Sequence, residues 1–82
     1  MNKITLEVHV PAIDRIYDVV VPEKAKVYEV TPLLASVVTK LAEGLYIPND
    51  PVICDGETGK VYNNHHTLEQ LKLKNGSRVM LV

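Results

Sequence analysis

The sequence contains no phenylalanine and no tryptophan, a single cysteine and four glycines in 82 residues. Without phenylalanine or tryptophan, a core is expected to be packed mainly from branched aliphatic side chains. Thirteen valines and five isoleucines supply them, a balance that favours strands. One cysteine, Cys54, excludes an intramolecular disulfide and points to a reducing compartment, the cytoplasm. Charge of either sign is also not in excess: nine Lys and Arg face ten Asp and Glu, scattered along the chain. Neutralising a run of phosphates or anionic head groups needs a basic excess, so neither nucleic acid nor an anionic membrane is indicated as a partner. No apolar run is long enough to span a bilayer, and the opening MNKITLEVHV alternates, unlike a signal peptide or an anchor. A chain of this length buries roughly 60% of its unfolded surface. With 46% apolar residues it is expected to fold as a single domain, 1–82.

What is present is periodic. Ile4, Leu6, Val8 and Val10 alternate with Lys3, Thr5, Glu7 and His9, which marks a strand with one face in the core. Pro11 to Asp14 reads as a turn. Tyr17, Val19 and Val21 then alternate with Ile16, Asp18 and Val20 in a second strand that ends at Pro22, completing a hairpin.

From Glu23 to Gly44 the period becomes helical. Val30, Leu33, Leu34, Val37, Val38 and Leu41 fall within an arc of roughly 140 degrees, opposite Glu29, Ser36, Thr39, Lys40 and Glu43. Pro32 cannot donate a backbone hydrogen bond, so the helix has to begin close to it. Either Val27 or Tyr28 opens the first turn, or Thr31 caps a shorter helix with Pro32 at its first position. Gly44 supplies the stop.

A loop with two prolines leads to a short strand, Val52-Ile53-Cys54. The turn Asp55 to Gly59 and a short strand, Lys60-Val61-Tyr62, follow. After the polar loop Asn63 to His66, Thr67 and Gln70 have capping-box spacing, with Leu68 and Leu71 on one face of a helical turn. Asn75-Gly76 is a turn, and Arg78 to Val82 is an apolar final strand. A hairpin, one main helix and returning strands give an α+β fold of the β-grasp kind, a mixed sheet of four or five strands with the helix across one face. The last strand is expected parallel to the first, in the centre of the sheet.

The stretches Gly59-Lys60-Val61-Tyr62 and Thr67 to Val82 resemble the second half of a ubiquitin-like domain. More narrowly, the whole chain resembles the YukD/EsaB family, small ubiquitin-like proteins encoded with type VII (WXG-type) secretion systems of Gram-positive bacteria. Tyr17-Asp18-Val19-Val20-Val21-Pro22, followed by Val27 to Leu34 and Val37-Val38, carries that match. The resemblance implies a cytoplasmic adaptor or accessory protein that docks noncovalently on the cytosolic part of the secretion machinery. In some related systems a similar domain is fused to a membrane component. Ubiquitin-like modifiers and sulfur carriers present a flexible Gly-Gly tail to an activating enzyme. Here Gly44, Gly56, Gly59 and Gly76 are internal and the sequence ends Leu81-Val82, so conjugation is not expected. A modifier or sulfur carrier, made through a longer form, is the alternative.

No constellation of catalytic residues is visible, and neither an enzyme nor a cofactor is expected. Cys54 lies in an apolar strand without a neighbouring base and reads as a small core residue. The adjacent His65 and His66 lack a further ligand at metal-binding spacing and read as solvated loop. His9 alternates to the exposed side. Gly56 and Gly59 serve a turn and do not open a phosphate-binding helix. An outward apolar patch remains as the candidate protein-binding site. If Val52, Cys54, Val79 and Leu81 face inward, then Ile53, Met80 and Val82 face out, at positions matching the partner-binding patch of ubiquitin. Lys3, Glu7, Ile16 and Val20 form an alternative surface on the first hairpin.

Overall fold

The first hairpin forms as its alternation requires. In the computed structural model, which describes residues 2–82, strand β1 (Lys3–Val10) pairs antiparallel with β2 (Arg15–Pro22), from Lys3 opposite Pro22 to Val10 opposite Arg15. Of the expected span 1–82, Met1 lies outside the described residues. A short 3₁₀ turn, Pro11–Ile13, joins the strands, and Asp14 closes it at φ 51°, a left-handed conformation that Asp tolerates.

Helix α1 (Val27–Leu41) takes the first of the two starts that Pro32 allowed. It begins at Val27 because a distant loop caps it. The Val27 N–H donates to the His66 carbonyl at 2.9 Å and the Tyr28 N–H to the Asn64 carbonyl at 3.2 Å. The Lys26 N–H donates to Glu29 Oε1 at 3.0 Å. Donors that would otherwise be orphaned at the helix start are thereby satisfied.

The buried stripe of α1 is rotated from the expected arc. Val27, Val30, Thr31, Leu34, Ala35 and Val38 are buried, whereas Leu33 and Leu41 are 42% and 52% exposed. Thr31 can enter the core because its hydroxyl donates to the Val27 carbonyl at 2.9 Å. Ala35, small enough to fit at 5% exposure, takes its place in the stripe, and Leu33 and Leu41 lie outside it.

Strands β3 (Ile53–Asp55) and β4 (Arg78–Leu81) complete a sheet of order β2-β1-β4-β3. β4 runs parallel to β1, with Val8 opposite Val79, and antiparallel to β3. The central strands contribute Leu6, Val8, Val10, Val79 and Leu81 to a core closed by Val30, Leu34, Val38, Ile53 and Leu68. This is the α+β, β-grasp arrangement, with four strands among the described residues.

The expected strand at Lys60-Val61-Tyr62 reduces to one bridge, Cys54 with Val61. Asp55 folds the preceding turn too tightly for a longer ladder. Its carboxylate accepts from the Glu57 and Thr58 N–H groups at 2.7 and 3.2 Å, and its carbonyl from Gly59 at 2.9 Å. The Thr67 and Gln70 capping box forms reciprocally, at 2.8 and 3.0 Å, around a turn that buries Leu68.

Candidate protein-binding surface

The face of the sheet turned away from α1 is organised in rows across the strands. Side chains alternate along a strand, so residues opposite one another in register share a face. Glu7 stands opposite Asp18 on one side and Arg78 on the other. His9 stands opposite Ile16 and Met80, and Met80 opposite Cys54. Val52 and Val82 extend the pattern, each donating its N–H to the other's carbonyl at 3.0 Å.

The register corrects the sequence reading of β3. Ile53 lies opposite Leu81, which continues the buried alternation of Val79, and it is therefore drawn into the core at 1% exposure. Val52 takes the outward place, at 39% exposure. Three residues are too few for alternation to declare a phase, and only the pairing with β4 fixes it. Met80 and Val82 are on the outer face as expected, Met80 half-buried and Val82 49% exposed.

Cys54 shares the outer face with Met80 but is covered there. It is 4% exposed, between Met80 on one side and Val61, bridged to it by the following turn, on the other. Burial pushes its thiol up from the ordinary value, which favours the unreactive thiol form. The same turn brings Gly59 against Met80, where a Cβ would stand 3.8 Å from Met80 Cε. Val61, 57% exposed, adds apolar area beside them. Val52, Met80, Val82 and Val61 thus form the patch, with Cys54 buried in the row between Met80 and Val61.

Polar residues bound it. The Arg78 guanidinium bonds Glu7 Oε1 at 2.8 Å through both Nε and Nη2, and this fixes the charges of the central row. His9 is half-buried, with Nε2 3.9 Å from Asp14 Oδ1. Of the alternative surface, Lys3, Ile16 and Val20 are exposed, and Glu7 is held by Arg78.

His65 and His66 lie away from the patch. The His65 ring meets the Tyr28 ring edge-on at 6.2 Å between centroids, and the His66 carbonyl caps α1. Among the described residues no three His, Cys, Asp or Glu side chains are grouped to hold a metal ion. No helix of the described residues is long and apolar enough to cross a membrane.

Neither a family model nor a curated protein matches this chain. Solved structures do. The ubiquitin-like domain of the Mycobacterium tuberculosis type VII secretion system protein ECCD1 is 13% identical with a TM-score of 0.80, covering 100% of this chain and 99% of that one. The EccD5 ubiquitin-like domain from Mycobacterium xenopi is 19% identical with a TM-score of 0.83, over 100% and 94% of the two chains. The ubiquitin-like domain of Plasmodium falciparum Dsk2 is 18% identical with a TM-score of 0.74, over 99% and 97%. The described residues have the ubiquitin-like β-grasp fold.

Proposed function

We propose that this protein is a ubiquitin-like accessory component of a bacterial type VII secretion system, of the YukD/EsaB kind, acting in the cytoplasm through noncovalent protein contacts. The observation that carries the reading is the match, from end to end, to two ubiquitin-like domains of type VII secretion EccD proteins. The outer apolar patch supports contact as the mode of action. Val52 and Val82 are 39% and 49% exposed beside Met80, framed by the Glu7–Arg78 ion pair, an arrangement of apolar centre and polar rim common in protein interfaces. The cytosolic part of the secretion machinery is the partner proposed, and no catalytic step or cofactor is part of the role.

Affinity capture of the tagged protein from its host, with native and fully denaturing washes read by mass spectrometry, tests it. Secretion components that appear in the native wash and vanish on denaturation support the reading. Their loss in a Val52→Ser, Met80→Ser double variant that keeps its fold assigns the contact to the patch. Adducts surviving denaturation would instead identify a modifier.

A further inference from the structure

Strand β2 lies at the edge of the sheet, and its unpaired backbone groups can be assigned residue by residue. On β1, the Thr5 N–H donates to Asn75 Oδ1 and the Glu7 N–H to the Ser77 carbonyl, both toward β4. Even-numbered residues of β1 therefore bond to β2, and the Glu23 N–H donating to the Asn2 carbonyl fits that phase. Their partners are Arg15, Tyr17, Val19 and Val21. The N–H and C=O groups of Ile16, Asp18 and Val20 are left pointing to the open edge, a template for one more strand. Pro22 ends the template, since it has no N–H and its carbonyl is taken by Ala25 at 3.2 Å.

Both faces beside this edge carry exposed apolar side chains among charged ones. Outside, Ile16 and Val20 are 56% and 58% exposed. On the helix side, Arg15, Leu41, Ala42, Glu43 and Leu45 line one depression, and Val37 and Leu33 lie one and two turns before Leu41 on the same side of α1. The opposite side of α1, with Tyr28 and Pro32, instead lines a depression shared with Pro51 and Val52 near β3. Charge then selects the occupant. In the row Asp18, Glu7, Arg78, the arginine is engaged by Glu7, and Asp18 has no ion-pair partner among the described residues. A strand added at the edge puts one side chain directly beside the Asp18 carboxylate on the outer face.

We propose that the β2 edge binds an extended segment of another protein with the pattern apolar, apolar, Lys or Arg, apolar, apolar. The basic residue pairs with Asp18, the outer apolar residues pack on Ile16 and Val20, and the inner ones lie toward Leu33, Val37 and Leu41. This is strand addition, in which backbone bonds give affinity and alternate side chains give specificity. A second copy of this chain fits poorly. Antiparallel pairing of two β2 strands with Ile16 opposite Val20 sets Asp18 against Asp18. Shifting by two residues brings in either Pro22, which lacks a donor, or the left-handed Asp14. The site is distinct from the Val52, Met80 and Val82 patch and stands or falls independently of it.

The test is titration of the protein by heteronuclear NMR with a capped peptide, Thr-Ile-Val-Lys-Val-Ile-Thr, and with its counterpart carrying Glu at the centre. The expected result is exchange protection at the Ile16, Asp18 and Val20 amides, with the Lys peptide bound roughly fivefold tighter. Asp18→Lys should reverse that preference. Val20→Pro should abolish binding while Leu6 and Val8 amides stay protected, because proline is tolerated where the N–H faces an open edge. Equal binding of the two peptides, undiminished binding to Val20→Pro, or shifts centred on Val52, Met80 and Val82 would overturn the proposal. So would concentration-dependent broadening of β2 amides without peptide, which would make a second copy the occupant.

Discussion

Ile53 and Leu81 face each other across the antiparallel pair of β3 and β4, and the two side chains are buried to 1% and 0% exposure. One register thus determines both a piece of the core and the composition of the outer patch, because fixing Ile53 inward sends Val52 outward.

The two neighbours should respond very differently to truncation. Ile53→Ala removes buried methyl groups and leaves a cavity, and is expected to cost about 3 kcal/mol. Val52→Ser, on the exposed side, should change stability by about 0.5 kcal/mol or less. Urea denaturation of the two variants measures this, and a reversed order would put the β3 register in error.

Gly56 is required by space. The Gly56 N–H donates to the Arg78 carbonyl at 3.0 Å, and a Cβ there would lie 2.6 Å from that same oxygen. Gly56→Ala has to push β4 away from the turn after β3, at an expected cost of about 1–3 kcal/mol. At Gly44, φ +89° with nothing within 4 Å of a Cβ, Ala meets backbone strain alone and should cost about 1 kcal/mol. Thermal melts of the two variants should separate them, and equal shifts would remove the steric account.

The hairpin, the central parallel pair and the helix were legible in the sequence because each has enough residues to show its period. Ile4 to Val10 carries four inward apolar positions, and Val79 takes its phase from Val8 opposite it in the parallel register. Where segments are short, phase comes from partners. Val52-Ile53-Cys54 could not reveal its own orientation, and Lys60 to Tyr62 could not show that Asp55 would restrict it to one bridge. The rotation of α1 buries Thr31 and Ala35 in place of Leu33 and Leu41, and an apolar arc that counts only large hydrophobic residues cannot show it. Of the candidate patch, Met80 and Val82 were found from sequence and Val52 only from pairing.

Tyr62 gives the fold an alkaline dependence. Burial first, then the charges of Asp55 and Cys54, push its phenol up to about 12. In the unfolded chain the phenol ionises near its ordinary value of about 10, so between these values the folded state holds a proton that the unfolded state has lost. The associated stability is intact below pH ~10 and is lost as pH rises through ~12. Urea midpoints across that window should fall less steeply for Tyr62→Phe than for the parent. Phenolate absorbance should also lose its latest-titrating component in the variant; an unchanged profile would contradict the assignment.

Cys54 should be shielded from chemistry by its burial between Met80 and Val61. With the thiol buried and its pKa raised, alkylation by iodoacetamide at neutral pH should be about 100-fold slower in the native protein than in urea. Gly59→Val, placed against Met80, should speed the native reaction by loosening the cover. Native modification as fast as that of the unfolded chain would show the thiol to be open to solvent.

Pro32 sits at the sixth position of α1, exposed, where it cannot donate to the Tyr28 carbonyl. Its ring contributes nothing to the core, and the helix start is already secured by the His66 and Asn64 carbonyls. Replacing it restores a donor without disturbing a cap, so Pro32→Ala should stabilise the protein by about 1–3 kcal/mol. Pro32 also lines the depression that contains Pro51 and Val52, next to the outer patch. A variant that gains stability but captures less partner would therefore show that this proline serves the binding surface at the expense of its own helix, whereas a loss of stability would mean that the ring packs usefully against Pro51.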